Sequence, residues 1–324
     1  MALALDAPVP GASTRGVDPN RAVDPNRALW LGFAALVTLL ALVPFALVIA
    51  VSLGEKVEGA GWRWGLDATQ YVRFFVGLGD APSFVYAQKL VFSFLYAGLA
   101  AVIAVALAFP FAWGLTRLGR GGQTAWLVFL LSAVSFSEVF VVMGWDILLS
   151  NRSGLPMVLR EAGVTQFFKD VGWFGAMRDW GLANPRDFRF KPSHVATVAC
   201  MAYLVLPYAV ILLYPALSRL DPATLEAART MGARPRTVMR TVVLPQVRLP
   251  LVGTTLLLFV FLLGVYVTVT QFAAPQHQTM TVSIYEAVRG ATLNAPFGAA
   301  QAVVLLVTAG LCLAAAGRLA RERA

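Results

Sequence analysis

Six uninterrupted apolar runs leave this chain few folds to choose from: Leu29–Leu53, Leu90–Leu115, Thr124–Leu149, Val195–Leu217, Leu251–Ala273 and Phe297–Gly317. A helix rises about 1.5 Å per residue, so ~20 residues cross the ~30 Å of hydrocarbon in a bilayer. Backbone N–H and C=O groups in lipid must be satisfied within the chain, which leaves helices or a closed barrel. Barrel strands alternate apolar and polar residues over about 10 positions, and these runs do not alternate. Charged residues make up 13% of the chain, against about 25% in a soluble domain. The expectation is an all-α integral membrane protein with six transmembrane helices.

Charge orients it. With both termini inside, the short inner pieces carry fourteen arginines against six acids, and arginine-rich short loops stay in the cytoplasm. The net charge of +9 then reflects topology rather than nucleic-acid binding, because the basic residues are dispersed among the spans. The domain reading is a disordered cytoplasmic tail at residues 1–28, a membrane domain at 29–317 with an inner loop at 218–250, and a cytoplasmic tail at 318–324. The first tail holds Val-Asp-Pro-Asn-Arg-Ala twice in tandem, rich in residues that oppose order. The apolar run after it is too long for a signal-peptide core, so it reads as a retained span. Cys200 and Cys312 both lie inside apolar runs and read as packing residues, not a disulfide framework.

Alanines at 100, 104, 108 and 112 in the second run form a small-residue stripe where another helix can approach closely, unless they reflect alanine abundance alone. Pro110 is expected to kink that helix. The outer loop 54–89 is aromatic and reads as an interfacial belt or short surface helices. The loop 150–194 reads as one short helix with turns, and segment 274–296 as an outer piece dipping partly into the membrane. Glu138 and Asp146 stand eight residues apart in the third run, on one face of a continuous helix. Charges there are costly and usually face a partner or a pathway. With Trp145, Tyr285 and Glu286 they are the candidate pathway residues, Trp145 offering a cation–π surface. Ser132, Ser135 and Ser137 read as packing residues or as bonds across helices. His194 and His277, both in outer loops, read as surface residues rather than ligands.

One inner segment is neither lipid-facing nor a simple loop. Asp221-Pro222 is a helix start, a side-chain cap followed by proline at the first helical position. Gly232 suits a left-handed terminus, and Ala233-Arg234-Pro235 makes a turn into a second short helix that reaches Leu244-Pro245. On pattern alone this is an amphipathic hairpin whose Arg229, Arg234, Arg236 and Arg240 would be attracted to anionic headgroups. Its order of residues says more. Glu226-Ala227-Ala228, three residues, Gly232, eleven residues and then Leu244-Pro245 resembles the EAA motif of permease subunits from binding-protein-dependent ABC importers. From about Leu31 to Leu313 the layout is similar to the polyamine (spermidine/putrescine) subfamily. Trp145, Gly154-Leu155, Leu206-Pro207-Tyr208, Ser218-Arg219-Leu220-Asp221 and Pro296–Ala300 carry that likeness. Three places depart from it: Val141 where relatives commonly have arginine, the fifth-run exit Gln271–Pro275, and a Phe167–Pro192 stretch that looks inserted.

The resemblance implies the type I ABC importer permease fold, with the hairpin as the cytoplasmic coupling helix. Glu226, Ala227, Ala228, Gly232, Leu244 and Pro245, with Arg229 and Arg236, would meet a separate ATPase. The implied partners are two ATPase subunits, a second permease (homologous or identical), a periplasmic solute-binding protein and the lipid bilayer of the bacterial inner membrane. None of the four lysines follows a glycine, so no Gly-Lys-Ser/Thr phosphate loop is present. The chain is therefore expected to be non-catalytic and to bind no cofactor, with ATP and Mg²⁺ on the partner. The expected solute is small and polar or cationic, such as a polyamine. Related permeases take phosphonate, thiamine, ferric ion or opines. An ion-coupled carrier would instead show inverted repeats around broken helices, and a membrane enzyme would show a clustered acid, base or nucleophile.

Overall fold

A computed structural model describes residues 25–59, 61–77, 83–151 and 154–322. Most of the expected N-terminal tail, residues 1–24, and the last two residues lie outside it. The chain divides into two units, Met1–Leu47 and Val48–Ala324. In the first unit the structure is helix α1 (Pro25–Ser52), whose last residues pass into the second. Its 24-residue stretch Leu29–Ser52 has mean hydropathy 2.8, enough to cross a bilayer.

The second unit continues with a hairpin, β1 (Glu55–Lys56) and β2 (Trp62–Arg63), pairing Glu55 with Arg63 and Lys56 with Trp62. Helix α2 (Thr69–Phe75) follows. Asp67 accepts from the Thr69 amide at 2.9 Å and from its hydroxyl, which holds the carboxyl below its ordinary value. The aromatic outer loop is thus partly strand and partly helix. Helix α3 (Val85–Leu115) is the second span, and α4 (Arg120–Val134) and α5 (Glu138–Leu148) share the third. The long loop folds into α6 (Leu155–Glu161), α7 (Val164–Asp170) and α8 (Phe174–Asp179), three short helices where one was expected. Phe174, Ala183 and Phe188 are buried at their centre. Helix α9 (His194–Ser218) is the fourth span. After it come α10 (Pro222–Thr230), α11 (Pro235–Val238), a π-turn at Met239–Val243 and α12 (Leu244–Leu263). The chain ends with α13 (Val267–Phe272), α14 (Met280–Arg289) and α15 (Ala295–Glu322).

Among the described residues five helices are long and apolar enough to cross a membrane, or six with the α4–α5 pair taken as one bent span. Two expected spans need correcting. The third is not a continuous helix, because α4 and α5 meet at 92°. The serines explain the break. Ser132 and Ser135 hydroxyls bond back to Val128 and Leu131 carbonyls at 2.9 and 3.1 Å, and Ser137 caps α5 by accepting from the Val139 amide. Such local bonds compete with helix continuation. These serines therefore serve their own helices rather than bonding across to others.

The fifth span starts earlier and stops earlier than expected. Helix runs from Pro235 to Leu263 through the π-turn, so Pro245 lies inside a continuous helix instead of ending one. Proline lacks an N–H and crowds the carbonyl four residues back, and the π-turn immediately before it supplies the wider loop that absorbs this. At the other end the helix stops at Gly264, a residue of low helix propensity, and helix resumes with α13 at Val267.

The core is helix on helix. Ala97, Ala100, Ala101, Ala104, Ala108 and Ala112 are all 0% exposed, and α3 packs along α9 and α12. The alanine stripe is therefore a close-packing surface, facing Met201, Val205, Ala209 and Leu213 in one cluster. Cys200 is buried as expected, while Cys312 is exposed on α15.

Candidate functional site

The hairpin between α9 and α12 forms as its residues dictate. Asp221 accepts from the Ala223 amide at 2.9 Å, capping α10. Gly232 has φ +79°, a left-handed conformation that costs any residue with a Cβ about 1–2 kcal/mol. There Gly232 and Ala233 amides bond to the Arg229 and Ala228 carbonyls at 2.9 and 3.2 Å, closing the helix. Ala228 and Val238 are buried and Leu225 is half-buried, which fixes one face of the hairpin against the helix ends. Glu226, Ala227, Arg229, Gly232 and Arg236 are exposed on the other faces, as is Pro245, with Leu244 half-buried. Met231 is 82% exposed. A methionine presented this way at a turn is a flexible apolar knob.

A cavity of about 490 Å³ lies under α10, lined among others by Trp113, Arg117, Gln123, Tyr214, Leu225, Glu226 and Arg229. Arg117 stacks over the Trp113 ring at 4.7 Å, and Tyr214 donates to Gln123 at 2.8 Å. The hairpin is therefore seated on the ends of α3, α4 and α9.

The candidate pathway residues divide into three places. Glu138 and Asp146 do share a face of α5, and both reach α13. The Glu138 carboxylate accepts from the Thr268 amide and hydroxyl, each at 3.0 Å. Asp146 accepts from Gln271 at 2.7 Å and pairs with Lys191, whose ammonium also reaches the Asp146 carbonyl at 3.0 Å. Thr268 and Gln271 are one helical turn apart, so two carboxylates on α5 clamp one turn of α13. Lys191 comes from the loop that looks inserted, and that loop is latched to the end of α5. Gly154 is needed at the same place: a Cβ there would collide with the carbonyl oxygens of Ile147 and Leu148.

Trp145 points elsewhere. With Tyr203 (ring centroids 5.6 Å, edge to face), Phe136, Phe140, Val141, Gly144 and Leu148 it lines an open apolar cavity of about 440 Å³. Tyr203 was not singled out from sequence, because one tyrosine in an apolar run carries no signal of its own. Tyr285 stacks on Tyr266 at 4.3 Å, beside the break in the fifth span. Glu286 lies 3.9 Å from Lys89.

The two histidines lie side by side, with His194 exposed and His277 half-buried. Their rings are 4.3 Å apart, Phe92 packs on both, and the Tyr96 hydroxyl is 2.5 Å from His194 Nδ1. The residues are 83 positions apart in sequence, and they meet where the Pro275–His277 turn packs on the starts of α3 and α9. Among the described residues no group of three or more His, Cys, Asp or Glu side chains could hold a metal ion.

Comparison with known proteins follows this geometry. No family model matches the chain. It is 25% identical over 278 residues to the spermidine/putrescine transport system permease protein PotB of Escherichia coli K12, covering 85% of this chain and 90% of that protein. It is 22% identical to the protein of the same name from Haemophilus influenzae, over 84% of this chain and 86% of that one. It is 27% identical to the inner membrane ABC transporter permease protein YdcU of Escherichia coli K12, over 67% of each. In fold it superposes on a bacterial ABC transporter involved in import of the acidic polysaccharide alginate. The TM-score is 0.63 at 15% identity, over 90% of this chain and 96% of that one.

Proposed function

We propose that this chain, a permease subunit of the ABC importer type, forms one half of a solute pathway and is driven through the α10–α11 hairpin by a separate ATPase. The observation that carries the proposal is the hairpin itself. It is a rigid, capped element rooted in two membrane-length helices, α9 and α12, with Glu226, Ala227, Arg229 and Met231 turned outward. Among the described residues Glu226 and Arg229 have no ion-pair partner. They are free to meet charges on another protein, where charge-assisted bonds are strong. A push on the hairpin would move α9 and α12 together, because helix is unbroken from Pro235 to Leu263 and α10 follows α9 after a short turn. The partners are two ATPase subunits carrying ATP and Mg²⁺, a second permease and a periplasmic solute-binding protein. The chain itself is non-catalytic, crosses the inner membrane and has both termini in the cytoplasm.

The proposed solute is a small cation of polyamine type. The relatives named for spermidine and putrescine support it, and so does the Trp145–Tyr203 cavity, whose ring faces suit an ammonium chain. Glu138 and Asp146 hold α13 in place, and neither lines that cavity. The breaks in the third and fifth spans are also what an ion-coupled carrier uses. That reading leaves the hairpin without a task.

The test is topological and biochemical. A Thr230→Cys variant should react with a membrane-impermeant maleimide only after the inner membrane is opened, and an ABC ATPase should co-purify with the chain in mild detergent. Labelling of Cys at 230 in intact spheroplasts would overturn the proposal.

A further inference from the structure

A second polar cavity, of about 290 Å³, lies between α2, the start of α3, α14 and the start of α15. Its charged lining is Arg73, Lys89 and Glu286, with Ser283 and Gln301 beside them and Phe297 as an aromatic wall. None of these groups is used by the hairpin or by the α5–α13 clamp. Gln301 is the strongest sign that something is missing. It is 0% exposed, and neither its amide oxygen nor its amide nitrogen has a hydrogen-bond partner. Buried polar atoms are nearly always paired, so a side chain in a cavity wall with both amide atoms unpaired is suited to a bound molecule.

The charges say what kind. The Arg73 guanidinium lies over the Phe297 ring at 4.4 Å, which leaves its N–H edge open, and no carboxylate pairs with it among the described residues. Lys89 is largely buried, its side chain 14% exposed, and its one acidic neighbour, Glu286, is 3.9 Å away and 54% exposed. Two cations and one carboxylate face one space. Two cations on one group select an oxyanion with several oxygens, while Glu286 can take an ammonium. Gln301 offers one acceptor and one N–H donor group, which matches a ligand carrying both charges. Lys89 and Phe297 stand near the outer starts of two membrane-length helices, the level at which bilayer headgroups lie.

We propose that this cavity binds a zwitterion made of a phosphate and a primary ammonium, the phosphate on Arg73 and Lys89, the ammonium on Glu286, and Gln301 bonding to both. Phosphatidylethanolamine in the outer leaflet and free phosphoethanolamine share that chemistry. The proposal is independent of the transported solute.

Native mass spectrometry of the full-length chain in detergent, titrated with phosphatidylethanolamine or phosphatidylcholine of the same acyl chains, tests it. Both lipids carry the phosphate, but choline has no N–H. The wild type should hold phosphatidylethanolamine at several-fold higher occupancy than phosphatidylcholine. Glu286→Gln, which keeps a polar side chain of the same size at an exposed position, should abolish that preference. Arg73→Gln should lower the occupancy of both lipids several-fold, and Gln301→Leu should lower that of phosphatidylethanolamine. A second arm adds phosphoethanolamine to delipidated protein: a rise in melting temperature that Arg73→Gln removes identifies a soluble ligand, and a lipid response alone identifies the bilayer. Equal occupancy of the two lipids in wild type and Glu286→Gln, with no melting shift from phosphoethanolamine, would overturn the proposal.

Discussion

Replacing Glu138 separates two tasks that one carboxylate can have in a membrane protein. Its oxygen receives two donors from Thr268, which is 0% exposed, each at 3.0 Å. Glu138→Ala removes that acceptor and leaves a buried backbone N–H unpaired, at about 1–3 kcal/mol. The Thr268 hydroxyl can rotate toward a carbonyl and recover part of its bond. A further contribution is lost with the charge-assisted character of the pair, so the expected total is about 2–4 kcal/mol. Glu138→Gln keeps an oxygen where the carboxylate oxygen stood, and its cost should be about 1 kcal/mol. At about 2–4 °C per kcal/mol, the factor for larger domains, the alanine variant should melt roughly 4–16 °C lower and the glutamine variant only about 2–4 °C lower. The assay pairs melting of the detergent-solubilised protein with solute uptake in reconstituted vesicles. A clamp predicts that uptake follows stability, with glutamine close to wild type. If glutamine and alanine lose uptake equally while both melt like the wild type, the charge acts on the solute directly and the clamp argument is refuted.

Other perturbations follow from the same geometry. Gly232→Ala should cost about 1–2 kcal/mol because φ there is +79°; ATP turnover that continues while uptake falls would show the coupling lost. Met231→Ser removes the apolar knob without touching the core, so co-purification of the ATPase should weaken while the melting temperature stays unchanged. Ala104→Leu forces a large side chain into the α3–α9 contact and should destabilise by about 1–3 kcal/mol, read as loss of monodisperse protein on size exclusion; a normal profile and melt would deny the close approach. Lys191→Met unlatches the long loop from α5, and limited proteolysis within residues 164–190 should speed up several-fold.

The long helices were legible because their signal is local. A run such as Val195–Leu217 has one solvent that suits it, and the observed α9 differs by a residue at each end. The hairpin was legible for a related reason, since Asp221, Pro222, Gly232 and Pro235 each determine the backbone where they stand. The bend in the third span was readable in principle from Ser137 followed by Glu138, a cap and a first-turn acid. It was masked by the apolar residues on both sides, which satisfy a span pattern whether or not the helix is continuous. Pro245 misled in the opposite direction, because the π-turn before it absorbs the disturbance that proline brings to a helix.

What the chain decides alone is therefore which segments can lie in lipid, where helices begin and end at capped positions, and which short element is fit to meet another protein. Tertiary structure decided what the polar residues among those helices touch. Glu138 reaches a threonine 130 positions away, Asp146 a lysine 45 positions away, and the two histidines meet across 83. Partners so distant are chosen by the register in which apolar helices pack, set by the summed fit of many small contacts such as the alanine face of α3. No short stretch of sequence contains that sum.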